Sequence, residues 1–155
     1  MRRLASAGRS AAIAGTTDIE PGSSNNEADA TDLGLRRAAE LFNRGEYHAA
    51  HEELDELWDA THGPDADFLK GLIQACIAMH HYARDNFEGA RKLYSGHRQY
   101  LAPYLPEYRG LDVGEFLARM QRTLQPIVRA RTDAEPRFDA ASAPRLEFEE
   151  HPGAR

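Results

Sequence analysis

From Phe68 to Met79 the chain reads Phe-Leu-Lys-Gly-Leu-Ile-Gln-Ala-Cys-Ile-Ala-Met, apolar on almost every side of a helical wheel. A helix with so little polar face belongs at the centre of a bundle, wrapped by amphipathic neighbours. The flanking sequence supplies them. A first helix is predicted from a cap at Thr31 or Asp32 to Asn43, with Leu35, Ala38, Ala39 and Phe42 at helical spacing. A second, about Glu46 to Thr61, places Tyr47, Ala50, Leu54, Leu57 and Trp58 on one face, and Glu52, Glu56 and Asp59 on the solvated one. After the loop His62-Gly63-Pro64-Asp65 comes the central helix. A fourth starts at the good N-cap Asn86 and stops before Pro103 and Pro106; a fifth opens with Asp112 and Glu115 and runs through Leu124. No strand pattern competes, so the expected fold is all-α: two stacked helical hairpins and a closing helix.

The organisation follows from where apolar periodicity begins and ends. Residues 1–30 are rich in Ala, Ser, Gly, Thr and Asn without an apolar face, and are expected to be a disordered tail. Arg2, Arg3 and Arg9 among Ser and Ala also suit an organellar transit peptide, but the apolar run of a secretion signal is missing. Residues 31–130 form the helical domain. Residues 131–155, with Pro136, Pro144 and Pro152, read as a second tail, although Pro144-Arg145-Leu146-Glu147-Phe148 also suits an extended segment lying across the domain.

Gly45-Glu46-Tyr47 with Ala50 recurs forty residues later as Asp85-Asn86-Phe87 with Ala90. Each marks a tight turn between helices, a grammar shared with tetratricopeptide hairpins, whose period is nearer 34. The run Phe42-Asn43-Arg44-Gly45-Glu46-Tyr47-His48-Ala49-Ala50-His51-Glu52-Glu53-Leu54-Asp55-Glu56-Leu57-Trp58, followed by Phe68 through Ala75 and His81 through Ala90, resembles the family known as domain of unknown function 309. The resemblance spans about Ala30 to Leu124. It implies a small all-α fold with a His-Glu…Trp signature and carries no established activity.

Within this frame one polar cluster stands out. His51 shares the inward arc of the second helix with Tyr47 and Trp58, with Asp55 at its margin; on the central helix, Lys70, Gln74, His81 and Asp85 form one polar stripe. Antiparallel packing of these helices brings the stripes face to face, so His51, Asp55, Gln74 and His81 are expected to satisfy one another or a ligand. Three chemistries fit: a hydrogen-bonded core network, a pocket for a small molecule or peptide walled by Tyr47, Trp58 and Tyr82, and a divalent metal held by His51, Asp55 and His81. The last would make a hydrolase conceivable, since His51-Glu52-Glu53-Leu54-Asp55 is one ligand away from His-Glu-x-x-His. His48, His62, His80 and His97 read as surface or loop residues, and Cys76 as a small core residue.

The leading expectation is a helical interaction or ligand-binding module, with a metal protein as the alternative. With 19 Lys and Arg against 25 Asp and Glu, the formal charge of −6 disfavours nucleic acid. No apolar run reaches membrane-spanning length, and a single cysteine allows no internal disulfide, so the cytoplasm is the expected compartment. Nucleotide-binding glycine motifs, Cys-x-x-Cys and the nucleophile elbow do not occur in the sequence. Oligomeric state is left open.

Overall fold

The computed structural model describes residues 21–129 and 138–149, with side chains from residue 26 onward. The chain divides into two units, residues 1–31 and 32–155. Five helices account for most of the described residues: α1 (Pro21–Asn43), α2 (Tyr47–Asp59), α3 (Pro64–Ala83), α4 (Phe87–Leu101) and α5 (Val113–Arg129). Between α4 and α5 lies a short antiparallel hairpin of β1 (Glu107–Tyr108) and β2 (Leu111–Asp112). The all-α class holds.

In the first unit, the expected tail is helical from Pro21 to its end. Proline suits a first helical position, and the Thr31 hydroxyl donates to the Glu27 carbonyl at 3.0 Å instead of capping a new helix. Residues 26–30 are exposed. This is an extension of an existing helix, where each added residue gains a backbone bond without a second nucleation cost. Expectations for residues 1–20, 130–137 and 150–155 lie outside the described residues.

In the second unit successive helices run antiparallel. Gly34 of α1 lies against Leu57 of α2, Trp58 of α2 against Lys70 of α3, and Gly71 of α3 against Leu101 of α4. On α4, Arg91 donates to the Ile127 carbonyl near the end of α5 at 3.0 Å. α3 sits in the middle, with Phe68, Leu69, Leu72, Cys76, Ala78 and Met79 all fully buried. α5 closes the bundle through Phe116, Met120, Leu124 and Ile127. It continues past Leu124, through Pro126, to Arg129.

The two similar turns are the same structure. After α1, Gly45 N–H bonds Phe42 O (2.9 Å) and Glu46 N–H bonds Leu41 O (2.8 Å); after α3, Asp85 N–H bonds Tyr82 O (3.1 Å) and Asn86 N–H bonds His81 O (2.8 Å). These are Schellman caps, and the residue at the bend takes positive φ: 83° at Gly45 and 64° at Asp85. Asn86 then caps α4 by accepting from Gly89 N–H at 3.1 Å.

The β-hairpin is an addition to the expected fold. Its turn residues Arg109 and Gly110 have φ of 51° and 87°, the paired positive values of a type I′ turn. Strands of two residues are too short to show alternation in a sequence.

Residues 138–149 do not project as a tail. Pro144 and Leu146 are buried, Phe148 is half-buried, and Arg145, Glu147 and Glu149 face solvent. That period of two is an extended segment with one face on the domain. The boundary expected at residue 130 therefore excludes a docked part of the core, because Leu146 joins the same buried cluster as Leu111 and Phe116.

Candidate functional site

The residues expected to converge are distributed among four different contacts. Tyr47 is a core residue, edge-on to Phe42 at 5.1 Å and to Phe138 at 6.2 Å; burial, with Cys76 adding to it, pushes its hydroxyl up to about 12. Trp58 receives the Lys70 ammonium over its ring at 4.5 Å. Gln74 faces α4 rather than α2, since a Cβ on Gly96 would stand 1.8 Å from its Oε1. His81 also turns to α4: its Nδ1 is 3.1 Å from Asn86 Nδ2, and its ring lies against Gly89. Asp55 is exposed on α2. Of the polar residues on α3, Gln74 and His81 face the glycine-lined side of α4, whereas Lys70 faces Trp58 on α2. Glycine lets the backbone come close enough for a glutamine or imidazole to fill the gap.

His51 instead belongs to a row of imidazoles at one end of the α2–α3 pair. Its ring is 5.7 Å from that of His48; His48 is 5.4 Å from His80, and His80 is 6.1 Å from His81. His48 Nε2 is 3.3 Å from Glu52. Partial burial, then the positive charges available on His48, Arg84, His81 and His51, hold His80 below the ordinary histidine range. In His48→Ala, His80 is expected to titrate closer to the ordinary value, read from the pH dependence of its ring-proton resonances. An unchanged midpoint would mean that the rings do not sense each other. Among the described residues no group of three or more His, Cys, Asp or Glu side chains is placed to hold a metal ion, so His51, Asp55 and His81 are not assembled as a ligand set.

His97, expected at the surface or in a loop, is fully buried. Its Nδ1–H donates to the Tyr94 carbonyl at 2.6 Å, and its Nε2 has no partner. Burial drives it down to about 4 despite that backbone bond. It is a neutral core imidazole packed edge-on to Phe116 at 6.4 Å.

The most elaborate polar contacts surround the β-hairpin and the C-terminal segment. Arg109 grips both oxygens of Asp65, with Nε and Nη2 each at 3.2 Å, and its Nη1 reaches Asp32 at 2.5 Å. Tyr108 donates to the same Asp65 at 2.5 Å, and the Tyr104 hydroxyl donates to the Pro64 carbonyl. Burial opposes ionisation of Asp65, but the bonds from Arg109 and Tyr108 outweigh it and lower its pKa. α1, the start of α3 and the hairpin are thereby locked together.

Against this locked hairpin the C-terminal segment lies extended and makes an isolated antiparallel bridge. Asn43, the last residue of α1, donates from Nδ2 to the Leu146 carbonyl (2.9 Å) and accepts at Oδ1 from the Leu146 N–H (2.7 Å). Leu111 bridges to Phe148, and Glu149 N–H bonds Gly110 O at 2.8 Å. Gly110 has to be glycine, because a Cβ there would meet the Glu149 carbonyl oxygen at 2.7 Å and φ is positive. Leu146 is 1% exposed.

Residues 35–93 match the family model described as Domain of unknown function (DUF309). This segment is similar to that family. The match runs from the second half of α1 to the middle of α4. It holds the imidazole row and Asn43, while the hairpin, α5 and the docked segment lie beyond it. An uncharacterized protein of Aquifex aeolicus (strain VF5) is 29% identical over 100 residues, 59% of this chain and 30% of that relative. The chain thus spans less than a third of the length of the relative it matches. No helix among the described residues is long and apolar enough to cross a membrane.

Beside the docked segment, α5 and residues 139–145 wall an open groove of about 590 Å³ that includes Arg119, Arg122, Arg145, Thr123 and Ser142. Its guanidiniums are already matched: Arg119 and Arg122 share Glu115, and Arg145 pairs with Glu147 at 3.1 Å. A free anion entering there would compete with these carboxylates. Asn43, Gly110, Leu111, Leu146 and Phe148 were not among the sequence-predicted site residues. The alternation of Pro144, Leu146 and Phe148 with Arg145, Glu147 and Glu149 was the one local signal for them.

Proposed function

We propose that this protein is a helical interaction module whose binding surface is the cleft formed by the end of α1, the β-hairpin and α5. In the free protein that cleft is occupied by the chain's own residues 144–149. The supporting observation is the double hydrogen bond of Asn43 to the backbone of Leu146. A side-chain amide that pairs with both the N–H and C=O of one extended residue recognises main chain, and so accepts a strand irrespective of the protein that supplies it.

The test uses the full chain with its own segment disabled. Leu146→Asp places a charge in a buried apolar site and is expected to undock the segment while the bundle, checked by circular dichroism and melting, stays folded. A labelled peptide of residues 138–149 should then bind this variant and be excluded from wild type, where the tethered segment competes at an effective concentration of order millimolar. Adding Asn43→Ala should abolish capture. The milder Leu146→Ala serves if the aspartate variant unfolds. A folded variant that ignores the peptide removes the reading.

A further inference from the structure

We infer that the turn between α3 and α4 is proton-sensitive: when His81 takes up a proton, the cap that Asn86 places on α4 is loosened. Three neighbouring residues build the link. Asn86 Oδ1 accepts from the Gly89 N–H at 3.1 Å, which fixes the sense of the amide. Inverted, its NH2 would face a backbone N–H and two donors would meet. Asn86 Nδ2 is therefore the atom that lies 3.1 Å from His81 Nδ1, and an amide NH2 has hydrogens to give and no lone pair to offer. The ring has to accept. Its proton then sits on Nε2, so the cap of α4 selects the neutral Nε2–H tautomer of His81.

The residues around this contact hold it in place. The Asn86 N–H donates to the His81 carbonyl at 2.8 Å, so the two residues are joined by backbone as well as by side chain. Gly89 leaves the space for both: a Cβ there would stand 2.8 Å from Asn86 Nδ2 and 2.9 Å from His81 Cδ2. The matching turn before α2 is built differently, since Glu46 makes no side-chain cap bond. Adding a proton at Nδ1 sets an N–H against the amide hydrogens. Either the amide inverts and gives up the Gly89 N–H, or the ring turns out of the Gly89 hollow and leaves Nδ2 without this acceptor. The charged and titratable groups around the ring are His80 at 6.1 Å, His48 and His51 of α2 beyond it, Arg84 and Asp85 in the turn, and Glu88 in the first turn of α4. Acid makes the histidine row more positive, and an imidazolium accepts no hydrogen bond, so no ring of the row replaces Nδ1.

Two NMR measurements on the full chain test the link. At pH 7.5 the ring nitrogens of His81 should show an unprotonated Nδ1 and a protonated Nε2; a neutral ring carrying its proton on Nδ1 overturns the inference without any variant. Between pH 7.5 and 5.0, the span in which histidines ordinarily take up a proton, exchange of the Gly89 amide, corrected for its intrinsic pH dependence, should quicken about threefold. In His81→Gln, whose amide oxygen accepts at either pH, that change should vanish, which separates His81 from the other histidines. In Asn86→Asp the sign should reverse: a carboxylate accepts from the Gly89 N–H and from a protonated ring together, so acid tightens the cap. Gly89 exchange that ignores pH in wild type, or that quickens equally in His81→Gln, overturns the proposal, as does an Asn86→Asp variant that loosens like wild type.

Discussion

Between pH 6.5 and about 4 the folded state is expected to lose about 3 kcal/mol of stability through His97 alone. Its imidazole is fully buried and pulled from 6.5 to about 4 by desolvation. The native ring is therefore neutral over this window, whereas the unfolded chain takes up a proton once pH falls below about 6.5. Unfolding thus binds the proton, so stability is complete above pH 6.5, declines on acidification and levels off below about 4. A shift of this size converts at about 1.4 kcal/mol per unit. Urea melts at pH 7.5 and 4.5 on wild type and His97→Leu check it. The leucine variant also removes the unpartnered Nε2, so its loss at neutral pH should be small and its acid slope flatter than wild type by about 3 kcal/mol. His80 also titrates there, and the difference between the two proteins isolates His97. Equal slopes would place the wild-type ring in contact with water.

Arg109→Ala is expected to cost about 2–3 kcal/mol, a large effect for a residue in a surface turn. The substitution strands the carboxylates of Asp65 and Asp32, both partly buried, with only Tyr108 still donating to Asp65. Fully buried pairs lose about 3–5 kcal/mol when one partner is removed; with side-chain exposures of 20–33%, solvent screening reduces the figure here. Arg109→Lys keeps the charge but loses the two-pronged grip, and should fall between wild type and alanine. The loss should shrink at low pH, because Asp65 is held ionised by this contact and its contribution disappears as the carboxyl protonates. Hydrogen exchange gives the spatial signature: protection of residues 146–149 should fall with the hairpin, since Leu111 and Gly110 support both. Protection unchanged in Arg109→Ala would separate the ion network from the docked segment.

Both sites show why a candidate constellation is harder to read than a fold. The wheel arithmetic put His51 on the inner arc of α2 and His81, Gln74 and Lys70 on one stripe of α3. It said nothing about which neighbour each stripe meets. Gln74 and His81 went to α4 because Gly96 and Gly89 leave hollows there, and Lys70 went to Trp58. His48 and His80, read as surface positions, became the middle of the imidazole row that His51 and His81 flank.

What the sequence determined by itself was whatever depends on neighbours along the chain. The apolar girth of Phe68–Met79 made α3 central, Asn86 and Asp112 capped the helices they precede, and the repeated turns fixed two Schellman bends. These rest on hydrogen bonds and side chains within about one helical turn, and a linear pattern contains them. Tertiary structure alone decided the fate of His97, Arg109 and Leu146. His97 is buried because Phe116 closes over it; Arg109 pairs with carboxylates 44 and 77 positions away; Leu146 is clamped by a side chain 103 residues earlier. Contacts at that separation depend on how helix faces and a strand edge meet in space, and those surfaces come into being only when the bundle has closed.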